Sequence, residues 1–528
     1  MKKYLFTLVF LLIPLTLAAC GGSVMHYDDA LGTEFNQNLF YRNDLKTQLA
    51  DPSVIYITEG EEAGYYYLYG TTDALGAAGV YAYRTKNFNH WQLVGPAFVP
   101  QRDSWAIRNI WAPEVIYMNG KYYMYYSGSN RYDGNKKGIG VAVADSPAGP
   151  FVEYEGTAAD GRELSRRDQA IVLPFPAIDV SPFVDKDGQL YLYFSRDQVD
   201  GISSIWGARM KDEVTIEAET LVRLAEPSFR SMEEYLASVG RTGPLSWECA
   251  TSAYGYNMWN EAPFMYEKEG AYFLTYSANP FWSREYAVGY AVGQSPLGPF
   301  VKPDDNRILG IDSSWDHVSG TGHHSFFPVG NQLYIAYHTH IDRVFGNSLR
   351  AIAIDEVFIE DKTIHVNGPT YSVQPLPEAI SGYKNLAATA AITATGSDDD
   401  VRKLNDGRVA MHLEEGDREF SVAGGKTRIK LSFEREVVVR AVMVYNSVDY
   451  ERAFFQVKRI KVGNLPAIKS LRFNDSYINR EFPEYPEMRP GGAFVAEFAE
   501  TRAETVIIEI DAGRPIAISE IIVLGREG

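Results

Sequence analysis

Cysteine is almost absent from this chain of 528 residues, which contains two, Cys20 and Cys249. Disulfide bonds therefore cannot hold a chain of this length together, and any export of the protein would proceed without a disulfide framework. The sequence predicts that Cys249 is a buried free thiol. The length predicts two domains, one of them larger than average.

Positive charge is also scarce. The chain has 50 lysine and arginine residues against 68 aspartate and glutamate residues, a formal net charge of −18, and no basic block occurs along it. This balance argues against nucleic acid or an anionic membrane surface as a partner. It is compatible with a neutral ligand such as a sugar.

Long apolar runs are limited to the N-terminus. Residues 5–17 follow a basic start, are mostly apolar, and are too short to span a bilayer comfortably, so they predict an export signal. Residues 17–22 resemble the lipobox of bacterial lipoproteins, which implies that Cys20 becomes the lipidated first residue. We expect a signal peptide over 1–20, a tether over 21–45, and a lipid anchor on the periplasmic or cell-surface side of a bacterial membrane. A plain signal peptide is the alternative.

Helical periodicity is nearly missing, and strand patterns dominate. One layout, a short motif before an apolar strand, a turn and a tyrosine-rich strand, occurs five times. The copies lie at 51–55 with 65–69, 111–115 with 122–126, 179–183 with 191–194, 260–264 with 270–277, and 323–327 with 333–337. Their spacing of about 60 to 80 residues holds four strands and is typical of propeller blades. We predict an all-β chain with a five-bladed β-propeller over 46–377.

Two segments fall outside this pattern. Residues 231–237, in the longest interval between copies, have a capping-box-like start and predict a short surface helix. Residues 368–377 contain several prolines, and the tyrosine-rich pattern stops there, which predicts a linker. Strand-like stretches at shorter spacing follow, and they predict a β-sandwich over 385–528.

If the five units surround one axis, the residues that open them meet at its mouth. Three are acidic, namely Asp51, Asp179 and Glu261, and Trp111 and His323 complete the set to within about one residue of alignment. Such carboxyl groups suit glycosidic bond cleavage. One carboxylate deprotonates water, and a carboxylic acid about 6.5 to 9.5 Å away protonates the leaving oxygen. A third carboxylate can orient this acid and raise its pKa.

Each of these residues also has a purely structural interpretation. An acidic residue ahead of a strand often caps a turn. His323 can be a buried imidazole with satisfied hydrogen bonds. Trp111 can pack between blades instead of offering its flat face to a sugar ring.

The motifs at 50–54, 111–115, 177–183, 260–264 and 320–326, taken in order, resemble glycoside hydrolase family 43 over residues 45–375. The resemblance implies a five-bladed β-propeller and an inverting mechanism. By position, it implies that Asp51 is the general base, Glu261 the general acid, and Asp179 the residue that tunes and orients the acid.

The same resemblance implies two further site residues. His323 would help to hold a central calcium ion, mostly through water, although calcium prefers oxygen ligands. This ion would be structural, because the chemistry requires no cofactor. Arg350 would reach the active site from the last blade, and a surface ion pair is the alternative for it.

At the C-terminus, residues 385–387, 403–407 and 517–521 resemble the F5/8 type C, or discoidin-like, sandwich. Tryptophan is absent from this region, since all eight tryptophans precede Asn385. A carbohydrate-binding role and a structural role as a spacer are both open for it.

These features predict an inverting exo-glycosidase, a monomer, that acts on plant cell-wall glycans. An α-L-arabinofuranosidase is the first expectation, and a β-D-xylosidase or an exo-galactosidase of the same family is the alternative. A hypothesis of another class is a surface lipoprotein that binds glycans without cleaving them. The complete set of acids favours catalysis, because a binding protein needs neither a base nor an acid.

Overall fold

The structure is a computed structural model that describes residues 25–27, 35–43, 47–72, 79–199, 202–228, 234, 237, 247–254, 258–311, 318–341, 349–370, 372–472 and 492–528. Strands dominate these ranges, which confirms the prediction of an all-β chain. Helix within them is limited to isolated positions and short segments. The segments are α1 (Glu378–Ser381) and 3-10 turns at Ala218–Thr220, Trp247–Tyr254, Ala387–Thr389, Val401–Leu404, Leu413–Glu415 and Tyr450–Arg452.

Five antiparallel units follow one another along the chain. Two strands precede them, β1 (Met25–Tyr27) and β2 (Phe40–Arg42). The first unit comprises β3 (Ala50–Tyr56), β4 (Tyr66–Thr71), β5 (Val80–Thr85) and β6 (Gln92–Phe98). The second comprises β7 (Trp111–Met118), β8 (Lys121–Asn130), β9 (Lys136–Ala144) and β10 (Val152–Glu153), followed by the small hairpin of β11 (Gly156–Thr157) and β12 (Glu163–Leu164).

The remaining three units have the same order of strands. The third comprises β13 (Ala177–Val184), β14 (Leu190–Val199), β15 (Ile202–Arg209) and β16 (Val222–Ala225). The fourth comprises β17 (Met258–Lys268), β18 (Ala271–Ala278), β19 (Ala287–Gly293), β20 (Phe300–Val301) and β21 (Arg307–Leu309). The fifth comprises β22 (Gly322–Val329), β23 (Gln332–His340), β24 (Arg350–Glu360) and β25 (Thr363–Val366).

The first strands of the five units form a closed ring. β3 lies against β7, β7 against β13, β13 against β17, β17 against β22, and β22 against β3. The first strand of every unit therefore touches the first strand of the unit before it and of the unit after it. The start of one strand is brought close to the start of the next, and residues far apart in sequence meet there.

Every first strand carries the same irregularity near its start. Its pairing with the second strand shifts register at a bulge in all five units. One residue in each bulge has a positive φ, between 43° and 53°. These residues are Asp51, Ala112, Asp179, Ala262 and His323. A bulge interrupts the alternation of side chains and re-aims them, so it sets which side chains face the mouth of the ring.

A hydrogen bond from each bulge fastens one unit to the unit before it. The backbone N–H of the bulge residue donates to a side chain on the second strand of the preceding unit, at 2.8 to 3.2 Å. For the bulges in chain order, the acceptors are His338, Thr71, Ser127, Ser195 and Ser277. Four of the acceptors are hydroxyl groups, and the one that closes the ring is an imidazole.

These hydrogen bonds should contribute measurably to stability. We expect Thr71→Val to lower the free energy of unfolding by about 1 to 3 kcal/mol, because it leaves the buried Ala112 N–H without its acceptor at nearly constant side-chain volume. Urea unfolding of the variant and the native protein measures the difference. Thr393→Val, at an exposed position of the C-terminal region, is the control and should change it by less than about 0.5 kcal/mol. Equal effects of the two changes would contradict the role given to these bonds.

The tyrosines of the second strands are mostly scaffold. In two units they reach the turn that joins the third strand to the fourth in the next unit. Tyr69 donates to the Pro147 carbonyl at 2.5 Å, and Tyr193 donates to the Pro296 carbonyl at 3.0 Å. Both turns belong to the repeated segments 144–151 and 293–300, so this repeat serves contact between units.

The C-terminal region is a second body of strands. After β26 (Val373–Pro375) come β27 (Lys384–Asn385), β28 (Ala391–Ala394), β29 (Phe420–Val422), β30 (Lys426–Asn446), β31 (Gln456–Val462), β32 (Ile468–Arg472), β33 (Ala493–Asp511) and β34 (Ile516–Glu527). Their long strands enclose an apolar core that includes Phe454, Leu431 and Ile508. A separate apolar cluster joins Met443 and Ile522 to residues 39–40 and 373, so this region packs on the chain segments beside the ring.

The predicted tether over 21–45 differs from the structure. β1 pairs with β33, and β2 pairs with β26, so residues 25–27 and 40–42 of this stretch are held in sheets. Cys20 and the signal peptide over 1–20 lie outside the described residues, as does the helix predicted for 231–237 apart from Glu234 and Ala237. Cys249 is buried. No helix in the described ranges is long and apolar enough to cross a membrane.

Candidate active site

Three of the five predicted opening residues occupy equivalent positions at the bulges. Asp51, Asp179 and His323 are the bulge residues of the first, third and fifth units. The sequence predicts Glu261 at the same template position, but Ala262 is the bulge residue there, and Glu261 lies one residue earlier. Trp111 also lies one residue before its bulge. Glu261 and Trp111 are therefore equivalent to each other and not to the two aspartates.

Asp51 is a buried carboxylate surrounded by nitrogen atoms. Its Oδ1 lies 2.9 Å from Nη1 of Arg350, and 3.3 Å from Nδ1 of both His323 and His338. Burial acts to raise the pKa of Asp51, but the charge of Arg350 and the field of His323 outweigh it, so this pKa lies well below its ordinary value. Asp51 is consequently ionised at neutral pH.

Glu261 is a buried carboxyl group whose pKa is shifted in the opposite direction, upwards. Its Oε1 accepts a hydrogen bond from the Tyr286 hydroxyl at 2.7 Å, and its Oε2 accepts one from the Trp259 indole. Burial raises the pKa of Glu261 to about 7, against the lowering effect of these two donors, and the negative charge of Asp51 adds to the rise. A large fraction of Glu261 is therefore protonated near neutral pH.

The side chain of Asp179 contacts the backbone next to Glu261. Its Oδ2 accepts a hydrogen bond from the N–H of Ala262 at 3.3 Å, and its own N–H donates to Ser127 at 2.9 Å. Burial raises the pKa of Tyr286, the residue that donates to Glu261, and the charges of Glu261 and then Asp179 add to the rise. Asp179 thus contacts the bulge next to Glu261, and its charge acts on one of the groups that hold the acid.

Arg350 does not form a surface ion pair, and Trp111 is not a fully exposed aromatic ring. The Arg350 side chain is 8% exposed and its guanidinium lies 4.7 Å from the ring centroid of Phe281, so its ion pair with Asp51 is buried. Trp111 is half-buried, and Nζ of Lys137 lies 3.7 Å from its ring centroid. One face of this indole is thus engaged by a cation.

Four residues that contact the acid, the base or Arg350 were not found from the sequence. They are Trp259, Phe281, Tyr286 and His338. Trp259 precedes Glu261 by two residues on one strand, and the period of two places such residues on one face, so this signal was available. The others come from loops or strands of the fourth and fifth units, and no local pattern marks them.

A directly coordinated calcium ion does not fit the described residues. Among them, no three His, Cys, Asp or Glu side chains converge in a way that could hold a metal ion. His323 directs Nδ1 at the Asp51 carboxylate, and burial lowers its pKa, so the imidazole is neutral at neutral pH. A calcium ion beside His323 would have to take its oxygen ligands from water, and no step of the chemistry below depends on one.

The arrangement supplies an acid and a base at the same time. Arg350 lowers the pKa of Asp51 and keeps it ionised, whereas burial raises the pKa of Glu261 to about 7. Two carboxyl groups whose environments drive their pKa values apart are what general acid–base catalysis requires.

Known proteins are similar to this chain over the five units. The family model described as glycosyl hydrolases family 43 matches residues 41–364, more than half of the chain. A β-xylosidase of Xylanibacter ruminicola is 29% identical over 271 residues, which are 48% of this chain and 72% of that protein. A xylosidase/arabinosidase of Bacteroides ovatus is 27% identical over 273 residues, which are 48% of this chain and 71% of that protein.

A solved structure of the same family is also similar to this chain. The crystal structure of a thermostable family-43 glycoside hydrolase has 30% sequence identity to this chain and a TM-score of 0.52. The match covers 64% of this chain and 99% of that one. The chain therefore belongs to glycosyl hydrolase family 43 and is a glycosidase.

Proposed function

We propose that the five units are the blades of a five-bladed β-propeller and that the enzyme is an inverting exo-glycosidase. The observation that carries the mechanism is the environment of two buried carboxyl groups: Arg350 contacts Asp51 and lowers its pKa, whereas burial raises the pKa of Glu261 to about 7. An inverting enzyme needs one ionised and one protonated carboxyl group, with a water molecule between the base and the sugar.

In this mechanism Asp51 accepts a proton from water, and the oxygen of that water bonds to the anomeric carbon. The glycosidic bond breaks as Glu261 gives its proton to the departing oxygen. The products are the free sugar with inverted configuration and the shortened glycan. Proton exchange with solvent returns both carboxyl groups to their starting states. Arg350 keeps Asp51 ionised, and Asp179 orients the acid through the Ala262 backbone.

The proposed substrates are plant cell-wall glycans, and the proposed activity is that of an α-L-arabinofuranosidase. The names of the relatives from Xylanibacter ruminicola and Bacteroides ovatus, which refer to xylosidase and arabinosidase activity, support this class. The alternative is a β-D-xylosidase or an exo-galactosidase. Release of sugar from nitrophenyl glycosides and from arabinoxylan oligosaccharides, followed by proton NMR of the first anomer formed, tests substrate and mechanism together. A retained anomer would contradict the inverting mechanism.

A glycan-binding protein without activity is the hypothesis of another class. The protonated Glu261 and the ionised Asp51 favour catalysis over it, because binding alone does not require them. Oligosaccharide binding without turnover across the full panel would establish the binding protein instead.

The hydrogen bonds to Glu261 predict a change in pH dependence. The Trp259 indole lowers the pKa of Glu261, so Trp259→Phe, which removes the donor and keeps an aromatic ring, should raise this pKa. We expect the basic limb of kcat/KM to move up by about one pH unit, because a hydrogen bond to a charged group contributes about 1.5 kcal/mol or more. A pH series with a nitrophenyl glycoside measures the limb. A shift towards lower pH would contradict the assignment of Glu261 as the acid.

Three further parts of the proposal concern structure and location. A structural calcium ion held mostly through water beside His323 predicts that EDTA lowers the Tm and that added Ca²⁺ restores it; an unchanged Tm would argue against the ion.

Residues 385–528 would form an F5/8 type C sandwich, and their apolar contact with residues 39–40 and 373 favours a structural role.

The third part is the anchor. Lipidation at Cys20 would attach the enzyme, as a monomer, to the periplasmic or outer face of a bacterial membrane. Cys20→Ser should then move the enzyme from the membrane fraction to the soluble fraction, and an unchanged distribution would contradict the lipid anchor.

A further inference from the structure

One of the five hydrogen bonds between units is donated by the backbone of Asp51, the proposed catalytic base. His338, the last but two residue of β23, accepts the backbone N–H of Asp51 on Nδ1 at 3.2 Å. The equivalent acceptors in the other four units are the hydroxyl groups of threonine or serine. A hydroxyl group thus suffices to join two units, and the imidazole at this position calls for another explanation.

The imidazole carries a cost that a hydroxyl group would avoid. Nδ1 of His338 faces both the backbone N–H of Asp51, at 3.2 Å, and its carboxylate Oδ1, at 3.3 Å, so this one nitrogen makes two contacts with the base. Nε2 is buried and has no hydrogen-bond partner among the described residues. An unpaired buried polar nitrogen is unfavourable for stability, and a hydroxyl group at this position would avoid it.

The face of the imidazole contacts the residue that holds the acid. The rings of His338 and Tyr286 are stacked, with centroids 5.5 Å apart and planes 9° from parallel. The hydroxyl group of Tyr286 donates to Oε1 of Glu261 at 2.7 Å. One neutral ring therefore connects the backbone of the base to the side chain that positions the acid.

We propose that His338 is a positioning residue that fixes the base and the acid relative to each other, through Nδ1 on one side and through its ring face on the other. This inference rests on the proposed roles of Asp51 and Glu261. An inverting reaction depends on the separation of these two groups, since water must fit on the side of the base. Holding both on one rigid ring sets this separation without any contact between His338 and the substrate.

Two substitutions separate the two contacts. In His338→Asn, the side-chain Oδ1 occupies the place of Nδ1 and accepts the Asp51 N–H, but no ring supports Tyr286. In His338→Phe, a ring lies against Tyr286, but the acceptor for Asp51 is gone. The substrates are two glycosides of the sugar that the native enzyme releases, one with a nitrophenol leaving group and one with a sugar leaving group.

The two variants should respond differently to the leaving group. His338→Asn disturbs the acid, so kcat should fall about tenfold or more for the sugar leaving group and little for nitrophenol, which departs without much protonation. His338→Phe displaces the base, so kcat should fall by a similar factor for both, up to about 100-fold for a shift of about 1 Å. KM should stay within about twofold in both variants, because the His338 side chain is fully buried and exposes no surface to a substrate.

The matched control is Thr71→Val, which removes the equivalent acceptor from a bulge without a proposed catalytic residue. It should lower the Tm and leave the ratio of the two kcat values unchanged, and any effect through Trp111 beside this bulge should appear in KM. If His338→Phe does not fold, His338→Ser, which supplies the hydroxyl group of the other units, should show the same dependence on the leaving group as His338→Asn. Equal losses on both substrates in His338→Asn or His338→Ser, or losses that only follow the Tm, would overturn the proposal. Absence of turnover by the native enzyme would instead refute the proposed function.

Discussion

Glu261→Gln should abolish nearly all turnover of glycosides that have a sugar leaving group, with kcat lower by about 10²- to 10⁴-fold. The amide has the shape of the acid but has no proton to give to the departing oxygen. A nitrophenol leaving group needs less protonation, so we expect a much smaller loss on nitrophenyl glycosides. The ratio of the two losses, measured as kcat on matched substrates, identifies the acid.

The pH profile provides a second measure of the same residue. The acid must be protonated, and the pKa of Glu261 is about 7, so kcat/KM of the native enzyme should fall as pH rises above about 7. The base must be ionised, and Asp51 has a pKa well below the ordinary value, so activity should persist to unusually low pH. Glu261→Gln should remove the fall on the basic side.

The control for Glu261 is a glutamate of similar pKa outside the site. Glu356 has a pKa raised to about 7 by burial, and its side chain accepts a hydrogen bond from Gln332 at 2.6 Å. It lies six residues beyond Arg350 on β24, about 20 Å along the strand. Glu356→Gln should leave kcat and the basic limb unchanged. If Glu261→Gln kept near-native kcat on the sugar leaving group, another residue would have to be the acid.

The repeat made most of the site predictable from the sequence. Asp51, Asp179 and His323 open three of the five copies, and the structure places all three at the positive-φ position of a bulge. A repeated motif predicts equivalent positions because each copy forms the same local structure. The error of one residue at Glu261 came from aligning carboxyl groups with one another, whereas the backbone aligns Ala262 with the two aspartates.

The groups around the acid and the base were not predictable in the same way. Tyr286 is 25 residues from Glu261, and His338 is 287 residues from Asp51. These contacts exist only once the ring has closed, so neither hydrophobic period nor turn chemistry marks them. The protonation states of the site also depend on these contacts, since burial and Arg350 set the pKa values in opposite directions. The sequence thus predicted which residues meet but not what surrounds them.

Asp51→Asn should lower kcat by about 10²- to 10⁴-fold on every substrate, whatever the leaving group. The amide cannot accept the proton of the attacking water, and this step is required whether the departing oxygen is a good or a poor leaving group. The equal loss on both substrates distinguishes the base from the acid. Sodium azide should restore part of the turnover, because the azide anion attacks the anomeric carbon without a base, and the product should be a glycosyl azide.

A loss of stability alone would not produce this pattern. Asp51→Asn leaves the buried guanidinium of Arg350 without its carboxylate, so we also expect a lower Tm. The control is Asp355→Asn, at a second buried aspartate, which binds the side chains of Thr370 and Tyr337. It should lower the Tm and leave kcat unchanged. If Asp51→Asn kept more than about a tenth of native kcat, or if azide restored nothing, Asp51 would not be the base, and the proposed division of roles with Glu261 would be wrong.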